Sequence, residues 1–97
     1  MIMSTPFTSS ITISPDVMVR QVGEESVLLD LRTERYLGLD DVSSRMWEVL
    51  TNGVAIDSAY QTLLAEFDVD PERLRNDLDD FVQELVKLGL VQLNNQS

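Results

Sequence analysis

The chain has 97 residues, 43% hydrophobic and 25% charged, with seventeen acids against seven bases and a net charge of −10. That is the composition of one folded domain with a modest core, not of a disordered chain, and its charge repels phosphate backbones and anionic lipid heads. It contains no Cys and no His, which excludes disulfides, thiolate nucleophiles, zinc sites with nitrogen or sulfur ligands, and imidazole acid–base chemistry.

Residues 1–14 read as a flexible N-terminal tail, aperiodic through Ser10. Ile11 and Ile13 alternate with Thr12 and Ser14, a weak strand cue that Pro15 interrupts. No basic region with a following apolar block marks a secretory signal, and no apolar run approaches a membrane span. The cytoplasm is therefore the expected location. Residues 15–93 form the expected domain.

Three strands follow the tail. Val17–Val22 is the first, and Gly23-Glu24-Glu25 turns the chain, with Gly suited to positive φ. Ser26–Leu31 is the second, rich in branched apolar residues. Arg32-Thr33-Glu34 turns again into a third strand, Arg35–Leu39. Short loops between strands predict an antiparallel meander.

The period then becomes helical. Asp40 or Asp41 caps a helix running to Asn52, with Val42, Met46, Trp47, Val49 and Leu50 on its apolar side and Gly53 past its end. Asp57 opens a second helix bearing Ala59, Tyr60, Leu63, Leu64 and Phe67. Asp70 caps a third, with Pro71 at its first position and Glu72 in its first turn. Leu74, Leu78, Phe81, Val82, Leu85 and Leu88 recur at spacings of three and four, Lys87 sits in the last turn, and Gly89 stops the helix. Leu90–Leu93 fits a closing strand or a packed extension. The order predicts an α+β fold: a three-stranded antiparallel sheet followed by three helices, winged helix-turn-helix-like.

No catalytic set emerges. The four glycines are isolated, so there is no phosphate loop. Asp77 and Asp80 share a helix face as a conceivable cation site, but a solvated face explains them better. Trp47 fits a core position. Tyr36 lies on the sheet face opposite Leu37 and Leu39, with two readings open: a cross-strand contact with Leu28, or a binding surface. The third strand is necessarily a sheet edge. It carries one Arg and no Pro to blunt it. Such an edge is either covered by the third helix or left beside a groove that accepts an extended peptide by strand addition.

The stretch Val27-Leu28-Leu29-Asp30-Leu31-Arg32-Thr33-Glu34-Arg35-Tyr36-Leu37-Gly38-Leu39-Asp40, then Ser43–Leu50 and Asn52-Gly53, resembles the PqqD family. Phe67-Asp68-Val69-Asp70 and Leu88-Gly89-Leu90-Val91 extend the likeness over about residues 15–93. Asp40 stands where the family often has Asn; either residue caps a helix.

The resemblance implies a RiPP recognition element, a non-enzymatic peptide chaperone with no cofactor and no metal. It holds the leader of a ribosomally made precursor as an added strand against the third strand, beside the third helix. Among such proteins the chain looks most like the free-standing type of lasso peptide biosynthesis, whose partners are the precursor leader and a separate leader peptidase, a transglutaminase-like cysteine protease, or another modifying enzyme. Carried onto this chain, the resemblance places Arg35, Tyr36, Leu37 and Leu39 on the binding edge and Leu74, Asp77, Leu78 and Phe81 on the opposite wall. The alternatives are a PqqD-type carrier for a radical SAM enzyme and a winged-helix DNA-binding regulator. Few bases (Arg73, Arg75, Lys87) among the acids of the second and third helices oppose the DNA reading.

Overall fold

In the computed structural model, which describes residues 9–23 and 25–94, the chain runs β1 (Ser10–Ile13), β2 (Val17–Val22), β3 (Glu25–Asp30), β4 (Tyr36–Leu39), α1 (Asp41–Leu50), α2 (Ile56–Glu66), α3 (Pro71–Lys87) and β5 (Val91–Asn94). The expected α+β architecture is present: β2-β3-β4 form an antiparallel sheet, and three helices follow. Leu28 pairs with Leu37 and Ser26 with Leu39, so one sheet face carries Leu28, Leu37 and Leu39 toward the helices. Leu28 and Leu39 are buried there in the same core as Met46, Trp47 and Leu50 of α1, Ile56, Ala59 and Leu63 of α2, and Leu74, Leu78, Val82 and Leu85 of α3. Trp47 is a core residue, as its helical spacing predicts.

Local signals set most boundaries. The Asp40 carboxylate accepts from the Ser43 backbone N–H at 2.8 Å and starts α1. Asp70 does the same for α3 with the Arg73 N–H at 3.1 Å. At the other end of α3 the Gly89 N–H donates to the Val86 carbonyl and the Leu90 N–H to the Leu85 carbonyl. This crossed pair is a Schellman motif, which needs a left-handed residue; Gly89 supplies it with φ of 76°. Its accompanying apolar contact is the fully buried Leu90.

Some boundaries differ from expectation. Ser10–Ile13 belong to the folded unit and not to a tail: β1 pairs antiparallel with β5, and Ile11 is buried in the core. Ile11 finds its partner some eighty residues away, which a local alternation cannot reveal. Residues 1–8 of the expected tail lie outside the described residues. β3 begins and ends one residue earlier than expected, β4 starts at Tyr36, and α1 ends at Leu50. α2 begins at Ile56, with Ala55 at its cap position and no side-chain cap; Asp57 sits in its first turn.

Arg45 ties α1 to α2, donating to both Glu66 carboxylate oxygens at 2.9 and 2.7 Å and to Glu48 at 3.0 Å. These bonds hold the Arg45 guanidinium above its ordinary range and the Glu66 carboxyl below its own.

The Asp40 carboxyl is also held below its ordinary value of 3.8, first by the Ser43 backbone N–H and then by the Ser43 side chain. A carboxyl harder to protonate in the folded than in the unfolded chain stabilises the fold at neutral pH. That contribution is fully present above pH 3.8 and fades as pH falls through the lower folded value. In urea titrations across acidic pH, the wild type is expected to lose more stability than Asp40→Asn, whose amide caps without titrating.

Candidate functional site

β4 pairs with β3 and has no second strand neighbour among the described residues. The direction of its free backbone groups follows from one bond. The Asp30 N–H donates to the Arg35 carbonyl at 2.9 Å, so Asp30 and Arg35 are a hydrogen-bonded pair. In an antiparallel ladder bonded and non-bonded pairs alternate. Leu37 and Leu39 therefore turn their N–H and C=O toward β3, while Tyr36 and Gly38 turn theirs outward. Those outward groups form an open margin about 13 Å long.

The hairpin that presents this margin is held at its turn. One oxygen of Asp30 accepts from the Arg32 N–H at 2.9 Å and the Thr33 N–H at 3.4 Å. The Glu34 N–H donates to the Asp30 carbonyl at 2.8 Å, and Glu34 itself takes a φ of 63°.

Beyond the far end of β4 lies a cavity of about 400 Å³, lined by Val42 and Met46 of α1, Phe67, Asp68, Val69 and Asp70 of the α2–α3 connection, and Arg73, Leu74 and Asp77 of α3. Val42 is three residues past Leu39, so the cavity wall begins within about 11 Å of the margin. The cavity is apolar in its walls and acidic at its edges, with Asp68, Asp70 and Asp77 against the single cation Arg73. Arg73 and Asp77 are 3.9 Å apart and largely exposed, a weak pair. The surroundings are acidic too. Residues 40–97 carry twelve acids and four bases, residues 1–39 five acids and three bases.

The structure divides the candidate residues. Tyr36 is 72% exposed, and Arg35 and Asp77 are exposed. Leu37 and Phe81 are half-buried at the rim of the core, and Leu74 is a buried wall of the cavity. Leu39 and Leu78 are 2% and 0% exposed. They are interior residues of the core. A core stripe and a groove stripe share the same helical period, so spacing alone could not separate them. Opposite Tyr36 the register places Leu29, while Leu28 faces Leu37; the expected contact of Tyr36 with Leu28 is not the cross-strand pair. Val42, Met46, Phe67 and Val69 were not expected at the site. The signal lay in Val42 and Val69, branched apolar residues beside helix starts that remain exposed.

Among the described residues no group of three or more Asp, Glu, His or Cys is gathered to hold a metal ion, and no helix is long and apolar enough to cross a membrane.

Comparison with known proteins adds to this geometry. No curated protein matches the chain. Among solved structures it is similar to TbiB1 in complex with the TbiA(beta) leader peptide, at 34% identity and a TM-score of 0.76, over 87% of this chain and 98% of that one. It is also similar to a lasso peptide synthetase B1 complexed with the leader peptide, at 25% identity and a TM-score of 0.77, over 86% and 98%. Residues 25–91, from the start of β3 through all three helices to the start of β5, match the family described as Coenzyme PQQ synthesis protein D. A match over that stretch, with the hairpin and three-helix order in place, makes the chain a member of the PqqD family.

Proposed function

We propose that this chain is a leader-peptide binding module of lasso peptide biosynthesis, a RiPP recognition element and not an enzyme. The leader lies along β4 as a fourth strand, paired with the outward groups of Tyr36 and Gly38, and continues to the cavity between α1 and α3. Bound there, it is presented to a separate leader peptidase. The observation that carries the reading is the open β4 margin ending beside an apolar cavity. The likeness to two leader-bound proteins supports it. Among the proposed site residues, Arg35, Tyr36 and Asp77 are exposed, Leu37 and Phe81 stand half-buried at the rim, and Leu74 lines the cavity wall; Leu39 and Leu78 lie within the core.

Strand addition recruits backbone bonds for affinity and pockets for selection. The leader loses conformational freedom on binding, so the cavity must receive an apolar anchor for the complex to be tight. Holding the precursor beside the peptidase makes their encounter effectively intramolecular. The acidic surroundings oppose the DNA-binding alternative.

The test is a fluorescence anisotropy titration of the cognate precursor's labelled leader with the full chain. Saturable one-to-one binding is expected, with Leu37→Asp weakening it roughly tenfold or more by placing a charge at the half-buried rim. No binding, or equal binding of a scrambled leader, would overturn the reading.

A further inference from the structure

A second cavity, of about 590 Å³, lies at the other end of α3. It is lined by Pro15 and Asp16 before β2, Asp30 and Arg32 of the hairpin, and Val86 and Gly89 at the end of α3, among others. Asp30 is only 4% exposed. One of its carboxylate oxygens is taken by the two turn N–H groups. The other has no hydrogen-bond or ion-pair partner among the described residues. A carboxylate oxygen with no donor from the protein is well satisfied by a cation.

Two more features favour a cation. The C-terminal end of α3, where its dipole is negative, borders the cavity through Val86 and Gly89. Asp16 adds a second carboxylate, and Pro15, Val86 and Leu93 offer apolar wall for an aliphatic stem. Arg32 stands in the lining and makes no ion pair with either acid.

We propose that this cavity is a socket for an arginine side chain carried by a second protein, the enzyme that receives the peptide. A guanidinium has donors enough for Asp30 and Asp16 together. From Leu74 to Val86 along α3 is about 18 Å, so the socket and the β4 groove can be filled at once. Assigning the donor to a second protein rests on the leader occupying β4; the preference for a guanidinium does not.

The test is a titration of the full chain with argininamide, read as backbone amide shifts in an assigned NMR spectrum. Saturable shifts are expected at Asp30, Arg32 and Gly89, with none from citrullinamide, the neutral isostere. Asp30→Asn keeps the turn acceptor and removes the charge; it should weaken binding roughly tenfold. Val86→Trp, which fills the cavity without touching the turn, should abolish it. Arg32→Gln removes a like charge and should tighten binding roughly twofold. Shifts that citrullinamide reproduces, or that survive both Asp30→Asn and Val86→Trp, would overturn the socket. In a parallel titration the leader peptide should leave the Gly89 amide, remote from β4, unmoved. If it shifts that amide through its own basic residues, the assignment to a second protein falls while leader binding stands. If the leader does not bind at all but argininamide does, the functional reading fails and the guanidinium site remains.

Discussion

Gly38→Pro is expected to weaken leader binding by about 10- to 100-fold while the domain stays folded. The Gly38 N–H faces away from β3, because the hydrogen-bonded Asp30–Arg35 pair fixes the alternation along the hairpin. Proline there removes a donor that only a guest strand uses. A Cβ at Gly38 would meet nothing within 4 Å, and the strand geometry tolerates proline at an edge. The guest then loses one backbone bond and leaves a carbonyl unpaired against the ring; a 10- to 100-fold loss corresponds to about 1.4–2.7 kcal/mol, within the usual cost of such a group. Anisotropy titration with labelled leader measures it, and circular dichroism reports the fold. Proline at Leu37 is the contrast: its N–H faces β3, so Leu37→Pro should damage the hairpin itself. Unchanged affinity in a folded Gly38→Pro chain would mean the leader does not add to β4.

The second large effect concerns stability. Leu78 is fully buried in the middle of α3, in the same core as Leu28 of β3, Leu50 of α1 and Leu63 of α2. Leu78→Ala should cost about 2–5 kcal/mol, the usual range for emptying such a site. A domain this small has about 5–15 kcal/mol in total. The variant should show a much lower urea midpoint, with an unchanged slope if unfolding remains two-state. Leu78→Asp, which buries an unpaired charge, is expected not to fold, so it cannot probe the groove. Leu37, half-buried at the rim, serves that purpose. A Leu78→Ala chain as stable as wild type would contradict the burial described.

The fold was largely legible in the sequence because its signals are local. Asp70-Pro71-Glu72 start α3 and Gly89 ends it through backbone chemistry that needs no distant partner. The switch from alternating to helical spacing near residue 40 separates sheet from helices. The β1–β5 pair was not legible in the same way. Ser10–Ile13 is too short and polar to declare a strand, and its order comes from residues 91–94 at the far end of the sequence. The site was half legible. That β4 is an edge followed from the short loops, and the exposure of Tyr36 from the alternation of faces. Which leucines of α3 face inward depends on how the helix is rotated against the sheet, and no periodicity encodes that rotation. The second cavity was hidden for a related reason. Asp30 reads as an ordinary turn residue until the end of α3 and the approach to β2 close around it.

Because Ser10 and Asn94 are strand partners, the two ends of the paired β1 and β5 lie side by side at one corner. That corner belongs to the two-stranded sheet and not to the sheet that carries β4. A domain fused at Ser10 or Asn94, by gene fusion or by design, would therefore start from a different sheet than the one whose edge is proposed to take the peptide.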